Sequence, residues 1–420
     1  MEKLVIEGNK VLRGQVNLSG SKNATLPLLA ATLLTDEPCC LRNVPHLRDT
    51  LTMIKLLKSL GKRVEVHKDR VKICPNGTLK HVADYRLVST MRGSFCVLGP
   101  LLAKLHEAKV SLPGGCVIGV RPVDLHLKGL KALGAKIEIE GGYVLAKARR
   151  LKATHLYLGG MFGSSVLATA NIMMAAALSQ GTTIIESAAC EPEIEDLANF
   201  LAAMGARIEG KGSPRICVTG VRRLHGATFD ISPDRIEAGT YMILAAATRS
   251  PITIRPVNTG HLMGLIDKLK EAGMTFEQKD DGLRVRVPKT LQATSVTTYP
   301  YPGFPTDLQA QFMALMAVTP GVSVITEKVF PDRFIHIAEL NRMGANIRRE
   351  GSTAIIEGVR KLYGAPVMAS DLRASAALVI AGLAARGKTE ILRIYHLDRG
   401  YEVMDAKLRR LGARVLRKNE

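Results

Sequence analysis

One cysteine stands apart by its surroundings. Cys116 follows Pro113, Gly114 and Gly115 and precedes Gly119, so it falls on a loop, and Arg121 lies five residues on. A thiol beside a cation has a depressed pKa and is reactive. The other cysteines, Cys39, Cys40, Cys74, Cys96, Cys190 and Cys217, read as small buried hydrophobes. An odd count of 7 with no C-x-x-C spacing argues against a disulfide framework or a zinc site.

Carboxylates and cations recur at comparable places. Asp307 follows Pro305 ahead of the apolar stretch LQAQFMALM, where spacing alone would make it a helix N-cap. Asp371 and Arg373 open another apolar stretch; arginine is disfavoured by the dipole there, which points to a site rather than to stability. Lys22 holds the corresponding place in SGSKNAT. Arg48, Arg121 and Arg399 each stand 13 residues before a glycine (61, 134 and 412), and Arg333 stands 11 before Gly344. Each arginine enters a helix beside its positive end. A shared anionic partner accounts for the recurrence; pairing with local carboxylates such as Asp49 or Asp398 is the competing explanation.

These residues are carried by a repeat. The stretches LKSLGKRVEV, LKALGAKIEI, LAAMGARIEG, LKEAGMTFEQ, LNRMGANIRR and LRRLGARVLR run from an apolar helix end through a glycine into a strand. Their glycines, 61, 134, 205, 273, 344 and 412, are separated by 73, 71, 68, 71 and 68 residues. Each unit reads as strand, polar elbow, apolar helix, strand, elbow, amphipathic helix and two strands, and the glycine suits a left-handed helix stop. The first helices are apolar nearly all round and are therefore expected to be buried. Their elbows are polar: SGSKNAT, VSTMRGS, GGMFGSS, SPDRIEAGT, FPTDLQ and ASDLRAS. Three such units about a pseudo-threefold axis aim three helix N-termini at one surface, a ready anion site.

Composition narrows the function. Length 420 with 46% hydrophobic residues allows two or three domains with sizeable cores. The +20 charge admits a nucleic-acid partner, but zero Trp and 4% aromatics leave few stacking platforms, so a cleft that gathers small polyanions fits better. Glu2 and the absence of an early apolar run argue against a secretory signal. Runs such as VLATANIMMAAAL fall short of the roughly 20 residues that span a bilayer, so no membrane insertion and a cytoplasmic location are expected.

The chain resembles the enolpyruvyl transferases over its whole length. The carrying motifs are Ser21-Lys22-Asn23-Ala24, Pro113-Gly114-Gly115-Cys116, Arg121-Pro122-Val123-Asp124-Leu125-His126, Pro233-Asp234-Arg235-Ile236-Glu237, Phe304-Pro305-Thr306-Asp307, Asp371-Leu372-Arg373-Ala374-Ser375 and His396-Leu397-Asp398-Arg399-Gly400-Tyr401. The resemblance implies an α/β fold, a two-domain inside-out α/β barrel of six βαβαββ repeats, three per domain. It implies domains of 1–21 with 230–420, and of 22–229. It also implies transfer of the enolpyruvyl group of phosphoenolpyruvate to the 3-hydroxyl of UDP-N-acetylglucosamine, the entry to peptidoglycan synthesis, with no cofactor and no metal.

The resemblance assigns roles residue by residue. Cys116 is the proton donor to phosphoenolpyruvate, able to form a thio-adduct with it and exposed to thiol-directed epoxides. Asp307 is the general base toward the sugar hydroxyl. Lys22, Arg121 and Arg399 cradle the phosphate and carboxylate, and Asp371 positions the Lys22 ammonium. Arg373 joins the site, and Arg333 acts with the Cys116 loop in closure. Asn23, Arg92, Pro122, Val123, Asp124, Leu125, His126, Ser164, Ser165, Val166, Leu167 and Val329 fall to the nucleotide. Where the family usually reads Ser-Val-Gly-Ala-Thr, this chain has Leu167 in place of glycine, so a weaker or reoriented diphosphate contact is expected. Three other readings stay open: the sister enzyme acting on shikimate 3-phosphate, an RNA-binding or RNA-end-processing protein, and a paralogue that binds nucleotide without turnover.

Overall fold

The computed structural model describes residues 2–114 and 123–419. They divide into two compact units, residues 2–19 with 233–419 and residues 20–114 with 123–232. The crossings therefore fall at 19/20 and 232/233, where the sequence put them at 21/22 and 229/230.

Each unit contains three four-stranded sheets built to one plan. A short leading strand pairs in parallel with the second strand, and the remaining pairs are antiparallel. In the 20–232 unit these orders are Thr228–Asp230, Cys39–Arg42, Arg70–Pro75, Lys62–His67; then Val82–Ala83, Glu107–Ser111, Tyr143–Lys147, Lys136–Glu140; then His155–Tyr157, Thr182–Glu186, Arg215–Thr219, Arg207–Glu209. The other unit repeats it with Gly14–Asn17 beside Ile252–Arg255, Val296–Thr297 beside Val322–Thr326, and Pro366–Met368 beside Lys388–Leu392.

Three repeats are not contiguous in the chain, which corrects the reading of each as one uninterrupted run. Thr228–Asp230 leads the first repeat's sheet, and Gly14–Asn17 leads the fourth's. Glu2–Glu7 lies between Lys388–Leu392 and Arg414–Asn419, with Leu4 opposite Ile391 and Arg417. A sheet edge selects a partner by hydrogen bonding, not by distance along the chain.

The six signature glycines all have left-handed φ, from 92° to 101°, and stop the second helices as the sequence implied. The first helices are Lys22–Ala31, Leu98–Leu105, Val166–Ala176, Arg235–Ala247, Gln309–Met316 and Leu372–Ala384. They are buried almost throughout and form the middle of one apolar core per unit. Within each unit neighbouring helices and the turns leading into them pack closely. A Cβ on Gly93 would stand 2.6 Å from Leu26 Cδ1, and one on Gly239 would stand 2.4 Å from Leu308 Cδ1. Buried helices this close leave their N-termini at one end of each unit, where the polar elbows sit.

Candidate functional site

On the 20–232 unit the elbow of the first helix is set by Ser21, whose Oγ accepts from Ala24 N at 3.3 Å. This cap puts Lys22 at the first helical position, 7% exposed. Its ammonium lies 2.9 Å from Asp49 Oδ2 on the helix Arg48–Ser59. Asp49 thus pairs with Lys22, and Asp398 with Arg417 at 2.7 Å. Asn23 and Arg92 are half-buried, Arg92 opening the turn Arg92–Val97.

Ser165 caps the helix Val166–Ala176 through Ala168 N, with Ser164 half-buried just ahead. Val166 and Leu167 are partly buried against the core. Leu167 is helical, a conformation open to any L-residue, so nothing in its backbone calls for glycine. Val123, Asp124 and Leu125 begin the helix Asp124–Ala132 beside this elbow, close enough that a Cβ on Gly160 would stand 3.0 Å from Leu125 Cδ1. His126 departs from the nucleotide role: its side chain points inward, 2% exposed. Asn171 donates to its Nδ1 at 2.8 Å and to Phe95 O at 3.0 Å, while accepting from Gly99 N at 2.7 Å. Burial, helped by Arg92, pulls the imidazole pKa down to about 3, so the ring is a neutral core group. Cys116, Arg121 and Pro122 lie outside the described residues.

On the other unit the charges are denser. Asp307 sits in the turn Thr306–Leu308, but it does not cap the helix Gln309–Met316 as spacing alone implied. Its carboxylate turns to two guanidiniums instead: Oδ1 accepts from Arg333 Nη1 at 2.8 Å, and Oδ2 from Arg373 Nη2 at 2.9 Å. Burial alone would raise its pKa; Arg373 and Arg333 override that and hold it well below the carboxylate range. Arg333 is 3% exposed and also donates to Thr306 Oγ1 at 3.1 Å, so the residue expected to move in closure is held at two points here.

Arg373 is 1% exposed at the start of the helix Leu372–Ala384. Its guanidinium carbon lies 5.4 Å from the Tyr401 ring centroid, a cation–π arrangement. Asp371 caps this helix through Arg373 N at 2.7 Å and Ala374 N at 3.1 Å. Below Asp307, Gln311 Nε2 donates to the Asp307 carbonyl at 2.9 Å and to Tyr401 Oη at 3.0 Å. Val329 is half-buried, its N–H donating to Glu327 Oε1 at 2.9 Å, and Arg399 is half-buried at the end of the turn Ile394–Arg399.

Each unit thus presents helix N-termini and fixed cations at one end, a setting for anionic ligands. Among the described residues no group of three or more His, Cys, Asp or Glu has the spacing to hold a metal ion. No described helix is long and apolar enough to cross a membrane. Sequence reasoning missed Glu327, Thr306, Gln311 and Tyr401 as supports of these charges, and named Asp49 only as a partner for arginine.

A family profile described as EPSP synthase (3-phosphoshikimate 1-carboxyvinyltransferase) matches residues 6–408. A UDP-N-acetylglucosamine 1-carboxyvinyltransferase of Lawsonia intracellularis (strain PHE/MN1-00) is 52% identical over 420 residues, covering 100% of both chains. One of Thermodesulfovibrio yellowstonii is 53% identical, over 99% of this chain and 100% of the relative. Among solved structures, the enolpyruvyl transferase NikO from Streptomyces tendae superposes with TM-score 0.90 at 23% identity, covering 100% of this chain and 99% of that one. An EPSP synthase from Acinetobacter baumannii gives 0.74 at 19% identity, covering 100% of each. At those identities the two structures speak for the fold.

Proposed function

The chain belongs to the EPSP synthase family of enolpyruvyl transferases, and on that footing we propose that it transfers the enolpyruvyl group of phosphoenolpyruvate to the 3-hydroxyl of UDP-N-acetylglucosamine, releasing phosphate. The observation that carries this reading is the end-to-end identity of 52% to a relative of that name. The step opens peptidoglycan synthesis, and substrates of this kind support the reading of a cytoplasmic enzyme.

The chemistry balances as an addition followed by an elimination. The sugar 3-hydroxyl oxygen bonds to C2 of phosphoenolpyruvate while its proton passes to Asp307. Cys116 gives its thiol proton to C3, which becomes a methyl group, and a tetrahedral phospholactoyl ketal results. The Cys116 thiolate takes a proton back from C3 as the C2–O phosphate bond breaks, which restores the double bond, and inorganic phosphate leaves carrying the proton that Asp307 had taken up. Cationic side chains aimed at the phosphate and carboxylate stabilise the charge that shifts during these steps; Lys22, Arg121, Arg399 and Arg373 fill that role, with Asp371 as a second carboxylate at the site.

The arginines give Asp307 a particular behaviour. Flanked by Arg333 and Arg373, its carboxylate is a weak base, since basicity follows pKa. An anionic ligand that draws one guanidinium toward itself raises that basicity. Phosphoenolpyruvate then arms the base that its own addition needs.

Phosphate release from phosphoenolpyruvate tests the assignment, with UDP-N-acetylglucosamine, shikimate 3-phosphate or RNA as second substrate. Release only with UDP-N-acetylglucosamine is expected; a response only to one of the others overturns it. Intact-mass analysis with phosphoenolpyruvate should show an adduct that Cys116→Ser abolishes, and an adduct on another cysteine would refute the thiol's role.

A further inference from the structure

Glu327 is an acidic side chain at 0% exposure whose partners among the described residues are all neutral. A carboxylate survives such burial only when its lone pairs are met by donors. Oε1 accepts from Thr298 Oγ1 at 2.5 Å and from the N–H groups of Val329 and Phe330, each at 2.9 Å. Oε2 accepts from Thr306 Oγ1 at 2.8 Å.

The last bond has a direction with consequences. A threonine hydroxyl has one proton. At Thr306 it goes to Glu327, so the same oxygen meets Arg333 Nη1 as an acceptor, at 3.1 Å. That nitrogen has two protons, and the second goes to Asp307 Oδ1 at 2.8 Å. The chain runs one way: Arg333 donates to Thr306, and Thr306 donates to Glu327. Without the buried carboxylate, the hydroxyl could turn its proton toward the guanidinium and repel it.

We propose that Glu327 is a positioning residue for Asp307, acting through the direction of the Thr306 hydroxyl and the place this gives Arg333. The same side chain folds the turn 328–330, which includes Val329. The inference rests on the proposed role of Asp307 as the base. It assigns the carboxylate a function in the reaction rather than in holding the loop alone.

Glu327→Gln makes the test sharp. With three donors at the Oε1 position, the amide oxygen stays there and the amide N–H group faces Thr306, reversing that hydroxyl while keeping the turn. The expected result is a fall in kcat of about tenfold, the worth of one hydrogen bond to a charged group, with KM for UDP-N-acetylglucosamine nearly unchanged. Thr306→Val should match it, Glu327→Gln with Thr306→Val should be no worse than the poorer single variant, and Thr306→Ser should restore turnover. Losses that add in the double variant, or a Thr306→Val enzyme with wild-type kcat, would overturn the proposal. A second measurement needs no turnover: titration of the Asp307 carboxyl by 13C NMR, identified with Asp307→Asn. The charged groups around it are Arg333 and Arg373, with Asp371 acting on Arg333's side and the titratable, neutral His336 beside them. In Glu327→Gln the carboxyl should titrate at higher pH than in wild type, and an unmoved titration also overturns the proposal. A wild-type enzyme idle with both substrates would sink the proposed reaction and leave this titration to decide the Glu327 chain.

Discussion

Lys22 Nζ lies 2.9 Å from Asp49 Oδ2, with 9% and 6% of the two side chains exposed. The pair joins the first position of one helix to the second position of the next, so it fixes where the ammonium points. An ion pair this buried contributes little net stability against apolar replacements, but breaking it from one side leaves a stranded charge.

Asp49→Asn should therefore lower the free energy of unfolding by about 3–5 kcal/mol. Replacing both partners, Lys22→Met with Asp49→Leu, should recover most of that while leaving phosphate release undetectable. Urea unfolding of the three proteins checks it. A double variant as unstable as Asp49→Asn would show that the pair itself, rather than the uncompensated ammonium, holds the two helices together.

Leu167 gives a second test. It is helical and packs partly against the core, so leucine fits this backbone without strain. Leu167→Gly should leave KM for UDP-N-acetylglucosamine within about threefold and cost roughly 1 kcal/mol of stability from helix propensity, with lost packing in addition. A tenfold improvement in KM would mean that leucine does crowd the diphosphate.

A third concerns acid. His336 is 1% exposed, and neither ring nitrogen has a hydrogen-bond partner among the described residues. Burial pulls its pKa down to about 4, against an opposing pull from Asp371. The unfolded value is about 6.5, so the folded state holds the neutral ring and the unfolded state takes up the proton first. Its contribution is full above about pH 6.5 and is lost as pH falls toward 4, up to about 3 kcal/mol in all. His336→Leu should flatten the acid limb of the stability curve in that window with little change at pH 7.5. An identical acid limb in the variant would place the sensitivity elsewhere.

The parts of this molecule that were legible in the sequence are those whose cause is local. A glycine at each second-helix end must be left-handed, and all six are. An all-apolar helix must be buried, and all six are. Arg373 in a first turn is locally unfavourable, and its compensation is Asp307, 66 positions away. What stayed hidden depends on distant partners. Glu327 gathers Thr298 and Thr306, which no periodicity links to it. His126 sits in a motif that reads as ligand-facing, but Asn171 and Phe95 claim the ring from across the core. Cys40, Cys190 and Cys217 are only half-buried, because alternate strand positions and a loop expose them where composition said core.

The sheet that takes Glu2–Glu7 between Lys388–Leu392 and Arg414–Asn419 has a bearing on biosynthesis. Residues 20–232 emerge from the ribosome as one stretch, and Thr228–Asp230 seals its first sheet as it leaves, so this half can fold while translation continues. Glu2–Glu7 is made ahead of residues 20–232 but waits almost four hundred residues for both of its neighbours. Its open edges must stay unpaired through that interval, which makes this half the one that a nascent-chain chaperone would have to shield.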